Sequence, residues 1–113
     1  MKISKVSNDN YIVIKAIGEL DASSSIHMDN EIKNAFDAGK YNVLIDCEGL
    51  NYISSAGVGV FVSYFEDFAQ KGGKFVFFNM KDSVRNIFNI LGLNEIFTIV
   101  DSEAEATKEL NES

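Results

Sequence analysis

The sequence has no proline, a single cysteine and a single histidine. Without proline, element boundaries must be read from glycine and from the period of the apolar residues. Cys47 alone cannot close an internal disulfide, and nowhere do four residues of metal-ligand type cluster, so a reducing, intracellular setting is expected. His27 lies near the start of a helix with no second histidine or cysteine beside it. It is assigned no role, and no Ser–His–Asp set, metal-ligand spacing or dinucleotide glycine pattern can be assembled. An enzyme is therefore not expected, and neither is a cofactor. No apolar run approaches the roughly 18 residues of a spanning helix. The opening Met1-Lys2-Ile3-Ser4-Lys5 lacks the apolar stretch of a signal peptide, which points to a soluble, cytoplasmic protein. Positive charge is also scarce. Ten Lys and Arg against seventeen Asp and Glu leave a formal charge of −7. The basic residues are scattered instead of striped, which excludes nucleic acid and membrane surface as expected partners.

What is present is a core. Of the 113 residues 46% are hydrophobic, with nine Phe and four Tyr, enough for one domain spanning residues 1–113. Residues 1–7 and the β-branched run Tyr11–Ile17, which ends at Gly18, read as a hairpin across Asn8-Asp9-Asn10. From about Ala22 the spacing of Met28, Ile32, Ala35 and Phe36 is helical, with Gly39 placed as the stop. Val43–Cys47 reads as a strand covered on both faces. Val58, Phe61, Val62, Phe65, Phe68 and Ala69 trace the apolar stripe of a second helix, stopped by Gly72-Gly73. Lys74–Phe78 is another strand. Val84, Ile87, Phe88 and Leu91 mark a third helix ending at Gly92, Ile96–Val100 a last strand, and about Ser102 to Leu110 an acidic, weakly apolar helix that should be the least firmly docked. Alternating strands and helices after a hairpin imply an α/β fold, a mixed sheet of about five strands with about four helices.

The chemistry concentrates in Asn51-Tyr52-Ile53-Ser54-Ser55-Ala56-Gly57-Val58-Gly59-Val60, where a strand exit meets a helix start. Serine is a favoured N-cap, and the same N–H groups and dipole favour an added phosphate. Ser54 or Ser55 is thus a cap, a phosphosite or both; on these grounds alone two capping serines on a surface loop account for the pattern. Gly57 and Gly59 read equally well as close-packing residues and match no phosphate-loop motif. Cys47, at the end of a buried strand, reads as a small core residue and not as a nucleophile. Asp46 suits a cap or turn. Glu66 and Asp67 fall on a solvated helix face, so these acids, with Glu48, make no catalytic pair.

The block Tyr52–Val60 resembles the signature of STAS-domain anti-sigma-factor antagonists: an aromatic, an apolar residue, Asp, Ser, Ser or Thr, Gly, Leu, Gly. Gly18-Glu19-Leu20-Asp21, Asn79 through Leu93, Ile96-Phe97 and Asp101 through Ala106 are similar to further blocks of that family, in order. The resemblance implies a STAS-like fold and places Ser55 on the phosphorylated serine. It implies a partner-binding surface of Asp21, Ser54, Ser55, Ala56 and Gly57, with Asp21 also fit to cap the first helix. It further implies that the unmodified protein, monomeric when free, binds an anti-sigma factor that is also a serine kinase and so releases sigma factor. Phosphorylation would end binding, and a PP2C-type phosphatase would restore it. Two departures stand out: Ser54 occupies the usual Asp position, which makes it a competing acceptor, and Ala56 follows the phosphosite. The rival expectation is a STAS module serving as scaffold or regulator in a stress-sensing or lipid-transport complex.

Overall fold

The computed structural model describes residues 1–111. β1 (Lys2–Ser7) and β2 (Ile12–Leu20) form the expected hairpin, antiparallel from Lys2 opposite Ile17 to Ser7 opposite Ile12. Asn8 shapes its turn: Oδ1 accepts from the N–H groups of Asn10 (2.8 Å) and Tyr11 (2.9 Å), the local bonding that suits Asn to turns. There follow α1 (Ala22–Asp37), β3 (Val43–Asp46), β4 (Leu50–Ile53), α2 (Ser55–Gln70), β5 (Phe75–Phe78), α3 (Asp82–Ile90), β6 (Thr98–Val100) and α4 (Glu103–Asn111). Strand pairing after the hairpin is parallel, in the order β1-β2-β3-β5-β6, with β4 against β2.

The sheet therefore has six strands among the described residues, where about five were expected, and the added strand is β4. Its four residues show no alternation that periodicity could detect, being buried at Leu50 and Ile53 and exposed between them. It exists because β2 continues past Gly18 instead of ending there. The lower part of β2 pairs with β3, Ile12 to Lys15 against Val43 to Asp46. The upper part pairs with β4, Gly18 against Leu50 and Leu20 against Ile53. Gly18 has φ +110°, open to glycine and rarely to other residues, and the register shifts between it and Glu19. The kink lets one strand serve two successive partners, and it carries the chain to the start of α1 beside the start of α2.

Helices α1, α2 and α3 cover one face of the sheet, burying Met28, Ile32, Val58, Phe61, Phe68, Val84 and Phe88 against Ile12, Ile14, Val43, Ile45, Phe75 and Phe77. Edge-on aromatic pairs run through this layer, Phe61 on Phe77 at 4.9 Å and Phe36 on Phe68 at 5.1 Å among them, each adding about 0.5–1.5 kcal/mol beyond area burial. The other face carries a smaller cluster of Leu44, Val76 and Phe78 under Ala106 of α4, with Leu110 partly buried beside it. The stripe on α2 is narrower than its sequence suggests. Gly57, Val58, Phe61 and Phe68 are buried, while Val62, Phe65 and Ala69 lie toward solvent, because residues four apart advance about 40° around a helix of 3.6 residues per turn.

Gly57 sits where α2 meets the end of β2. A Cβ there would lie 2.8 Å from Leu20 Cγ and 3.0 Å from both Ile53 Cγ1 and the Leu20 carbonyl oxygen, whereas one on Gly59 would meet nothing within 4 Å. Two glycines one residue apart should therefore respond oppositely. Gly57→Ala is expected to destabilise by about 1–3 kcal/mol through overpacking, and Gly59→Ala to stabilise by about 0.5–1 kcal/mol through helix propensity. Urea denaturation at constant m-value measures both; shifts of the same sign would contradict the packing described.

Candidate partner-binding site

The carboxyl end of β2 delivers Leu20 and then Asp21, the N-cap of α1; the carboxyl end of β4 delivers Ile53 and then Ser54, the N-cap of α2. The Ser54 N–H donates to the Leu20 carbonyl at 2.9 Å. That bond sets the two helix N-termini side by side, an arrangement with positive dipole ends adjacent. Apart from the Asp21 cap, neither helix carries an acidic residue in its first turn.

Ser54 takes the extended N-cap conformation, and its Oγ accepts from the Gly57 N–H at 3.2 Å, satisfying one of the orphan donors of the first turn. Ser55 is the first residue of the helix proper; its side chain is exposed and its hydroxyl has no hydrogen-bond partner among the described residues. The two serines that capping chemistry alone left interchangeable thus differ in kind. One hydroxyl is half-buried and engaged in capping, and the other is presented to solvent. Ala56 is exposed beside it, and Gly57 is buried against Leu20.

Asp21 caps α1 as expected. Its Oδ1 accepts from the backbone N–H groups of Ser24 (3.0 Å) and Ser23 (3.1 Å) and from the Ser23 hydroxyl (2.9 Å), while the Ser24 hydroxyl accepts from the Asp21 N–H (2.9 Å) to complete a capping box. These bonds, led by that from the Ser24 backbone, hold the carboxylate down at about 2.

A shallow apolar groove of about 290 Å³ adjoins Ser55, lined by Tyr52, Ile53, Val58, Ile87, Ile90 and Leu91. Leu91, expected in the core, is 55% exposed, and Ile90 is 83% exposed. The chain turns at Gly92 and buries Leu93 instead, which leaves the end of α3 projecting. Sequence reading missed Ile90 and the exposure of Tyr52; an isoleucine off the 84–87–88–91 stripe was the available signal.

The remaining candidates lie apart from this site. The Cys47 thiol is enclosed, and burial, which disfavours the thiolate, pushes its pKa far up. Asp46 accepts from the Glu48 N–H (3.0 Å), a turn role, and His27 is exposed on α1. Among the described residues no group of three His, Cys, Asp or Glu is placed to hold a metal, and no helix is long and apolar enough to cross a membrane.

Comparison with known proteins bears on this arrangement. The STAS domain family model matches residues 2–106. The chain belongs to the STAS domain family of anti-sigma factor antagonists. The anti-sigma-B factor antagonist of Listeria monocytogenes is 31% identical over 102 residues, 89% of each chain. Among solved structures, the anti-sigma factor antagonist SpoIIAA in its unphosphorylated form superposes with a TM-score of 0.84 at 21% identity, covering 97% of this chain and 96% of that one. The phosphorylated form of SpoIIAA from Bacillus gives 0.75 at 22% identity, with coverage of 96% and 99%. At those identities the structural likeness establishes the STAS fold, six strands and four helices included.

The Asp21 cap makes a pH-dependent contribution whose sign is fixed. Its folded value lies below the ordinary 3.8, so the stabilisation is fully present above 3.8 and is lost as pH falls through about 2. Asp21→Asn, which keeps an oxygen but loses the charge, should flatten the decline of stability over that window. Urea unfolding at stepped pH measures it; parallel curves for the two proteins would show that Asp21 carries no such term.

Proposed function

We propose that this chain is a phosphorylation-controlled antagonist of an anti-sigma factor, with Ser55 as the switch. The observation that carries the reading is the exposed Ser55 hydroxyl at the start of α2, which has no hydrogen-bond partner among the described residues and lines the apolar groove. In the unmodified state Ala56, Ser54 and the groove residues Tyr52, Ile90 and Leu91 offer a neutral, partly apolar surface on a chain of net charge −7. An exposed apolar groove with polar residues beside it is a surface that a protein partner can bury. The partner is an anti-sigma factor that is also a serine kinase. Docking displaces sigma factor, which frees it for transcription.

The kinase ends its own inhibition by modifying the chain. Ser55 Oγ attacks the γ-phosphorus of ATP, its proton passes to a base on the kinase, the bond from the γ-phosphorus to the β–γ bridging oxygen breaks, and ADP leaves. The product carries about −1.5 to −2 charge at a surface that must be desolvated for docking, so affinity falls without any change of fold. A PP2C-type phosphatase reverses the modification. The solved structure of SpoIIAA in its phosphorylated form, a relative in fold, supports a modified state of this architecture. On this reading the chain acts as a single domain in the cytoplasm and performs no catalysis itself.

Incubation with the cognate kinase and ATP should add one phosphate, found on Ser55 by peptide mass spectrometry. In calorimetric titration Ser55→Ala should bind the kinase as the wild type does, and Ser55→Asp more weakly. A dominant phosphate on Ser54 or on a serine outside this loop, or equal affinities for all three proteins, would refute the assignment.

A further inference from the structure

The apolar stripe of α2 continues past the groove beside Ser55. Val58, Val62, Phe65 and Ala69 are spaced four, three and four residues apart, which sets them in a row along one edge of the helix. Val58 is buried at the head of the row, whereas Val62 is 45% and Phe65 36% exposed and Ala69 faces solvent. Phe65 and Ala69 line a second hollow of about 200 Å³ with Ile96, itself 47% exposed, and Thr98 of β6, the strand at the sheet edge. An edge-on contact with Phe97 at 5.4 Å fixes the Phe65 ring there. Ser55 and Phe65 are ten residues apart, about 15 Å along the helix axis. One strip of exposed apolar surface thus runs from the Ser55 groove to the β6 edge. Acids border it: Glu66 on α2 and Glu95 ahead of Ile96, both exposed, and Glu109 at the hollow. Lys74, at the same hollow, donates to the Glu109 carbonyl, and Arg85 of α3 pairs with Asp101 at 2.9 Å.

We propose that this strip is a second docking surface for the anti-sigma factor, seating an apolar segment of that partner flanked by basic residues. The proposal rests on the reading of the Ser55 groove as the partner's docking site, with which the strip is continuous, and adds where the rest of the partner lies and what chemistry it brings. Val62 joins the two hollows, one helical turn from Val58 and one from Phe65, so a single partner surface can cover both. The acidic border selects the charge of what docks, because a basic flank is drawn to Glu66 and Glu95 and an acidic one is repelled. Phe65 lies farther from Ser55 than the screening length of about 8–10 Å. The strip therefore supplies apolar affinity that charge on Ser55 leaves untouched, while the groove supplies the part that responds.

Each anti-sigma-factor kinase of the source organism is purified and titrated calorimetrically into the wild type, Val62→Gln/Ile96→Gln, Glu66→Lys/Glu95→Lys, Ser55→Asp and Val6→Gln. Val6 is 74% exposed on β1 and outside the strip, so its variant should bind as the wild type does. For the kinase that binds, losing two half-exposed apolar side chains should raise Kd about tenfold. Charge reversal at the border should raise Kd and flatten its dependence on salt. Wild-type affinity in Val62→Gln/Ile96→Gln, or tighter binding by Glu66→Lys/Glu95→Lys, would overturn the proposal, as would an equal loss in Val6→Gln. Ser55→Asp separates this proposal from the switch: if it binds like the wild type while the apolar pair still weakens binding, the switch fails and the strip stands. If no kinase binds the wild type, the functional reading fails and the proposal with it.

Discussion

One backbone hydrogen bond, from the Ser54 N–H to the Leu20 carbonyl at 2.9 Å, organises the functional end of this molecule. It can form only because β2 runs on past Gly18 to pair with β4, and because Gly57 lets α2 lie directly on Leu20. A Cβ at position 57 would meet Leu20 Cγ at 2.8 Å and the Leu20 carbonyl oxygen at 3.0 Å, so the contact between α2 and β2 would have to give. The strands, the kink and the glycine together place Asp21 and Ser54 in neighbouring loops, although 33 residues of chain separate their positions in the sequence. Loop residues held by a rigid sheet are a common basis for binding sites.

The electrostatic consequence is a junction able to tolerate negative charge. Two helix N-termini meet there, and the Asp21 carboxylate that caps one of them is satisfied by donors from Ser23 and Ser24 to the point where it is ionised down to about 2. A phosphate on Ser55 joins favourable dipole ends, so the fold has no reason to resist it. The same charge is unfavourable to any partner that must bury this surface, with its Tyr52, Ile90 and Leu91 groove, out of water. On the proposed reading, stability and binding would respond with opposite sign to one modification, which is what a surface switch requires.

Much of the fold was legible because its signals are periodic or punctuated. The β-branched run Tyr11–Ile17, the helical spacing of Met28, Ile32 and Ala35, and the positive-φ glycines after α1, α2 and α3 all lie where the sequence placed them. β4 was not legible, because Leu50-Asn51-Tyr52-Ile53 is too short for an alternation to register and its pairing depends on a non-local partner. Gly18 was legible as punctuation but not as a kink within a continuing strand. At the site, the sequence brought out Asp21, Ser54 and Ser55, and the family resemblance singled out Ser55 as the phosphosite, but capping chemistry alone could not divide the work between the serines; which hydroxyl caps depends on a one-residue difference in helix start. The groove was hidden for a related reason. Leu91 fits the apolar stripe of α3, yet the reversal at Gly92 leaves it facing outward.

The central claim is that charge at Ser55 acts locally, on a surface, with the sheet unaltered. Amide chemical shifts of the unmodified and phosphorylated forms test it most directly. The account predicts perturbations confined to the α1 cap at Asp21–Ser25 and to the loop and first turns of α2 at Tyr52–Val60. Shifts of comparable size through the sheet core, at Val43–Ile45 and Phe75–Phe77, would contradict it and require a conformational mechanism instead.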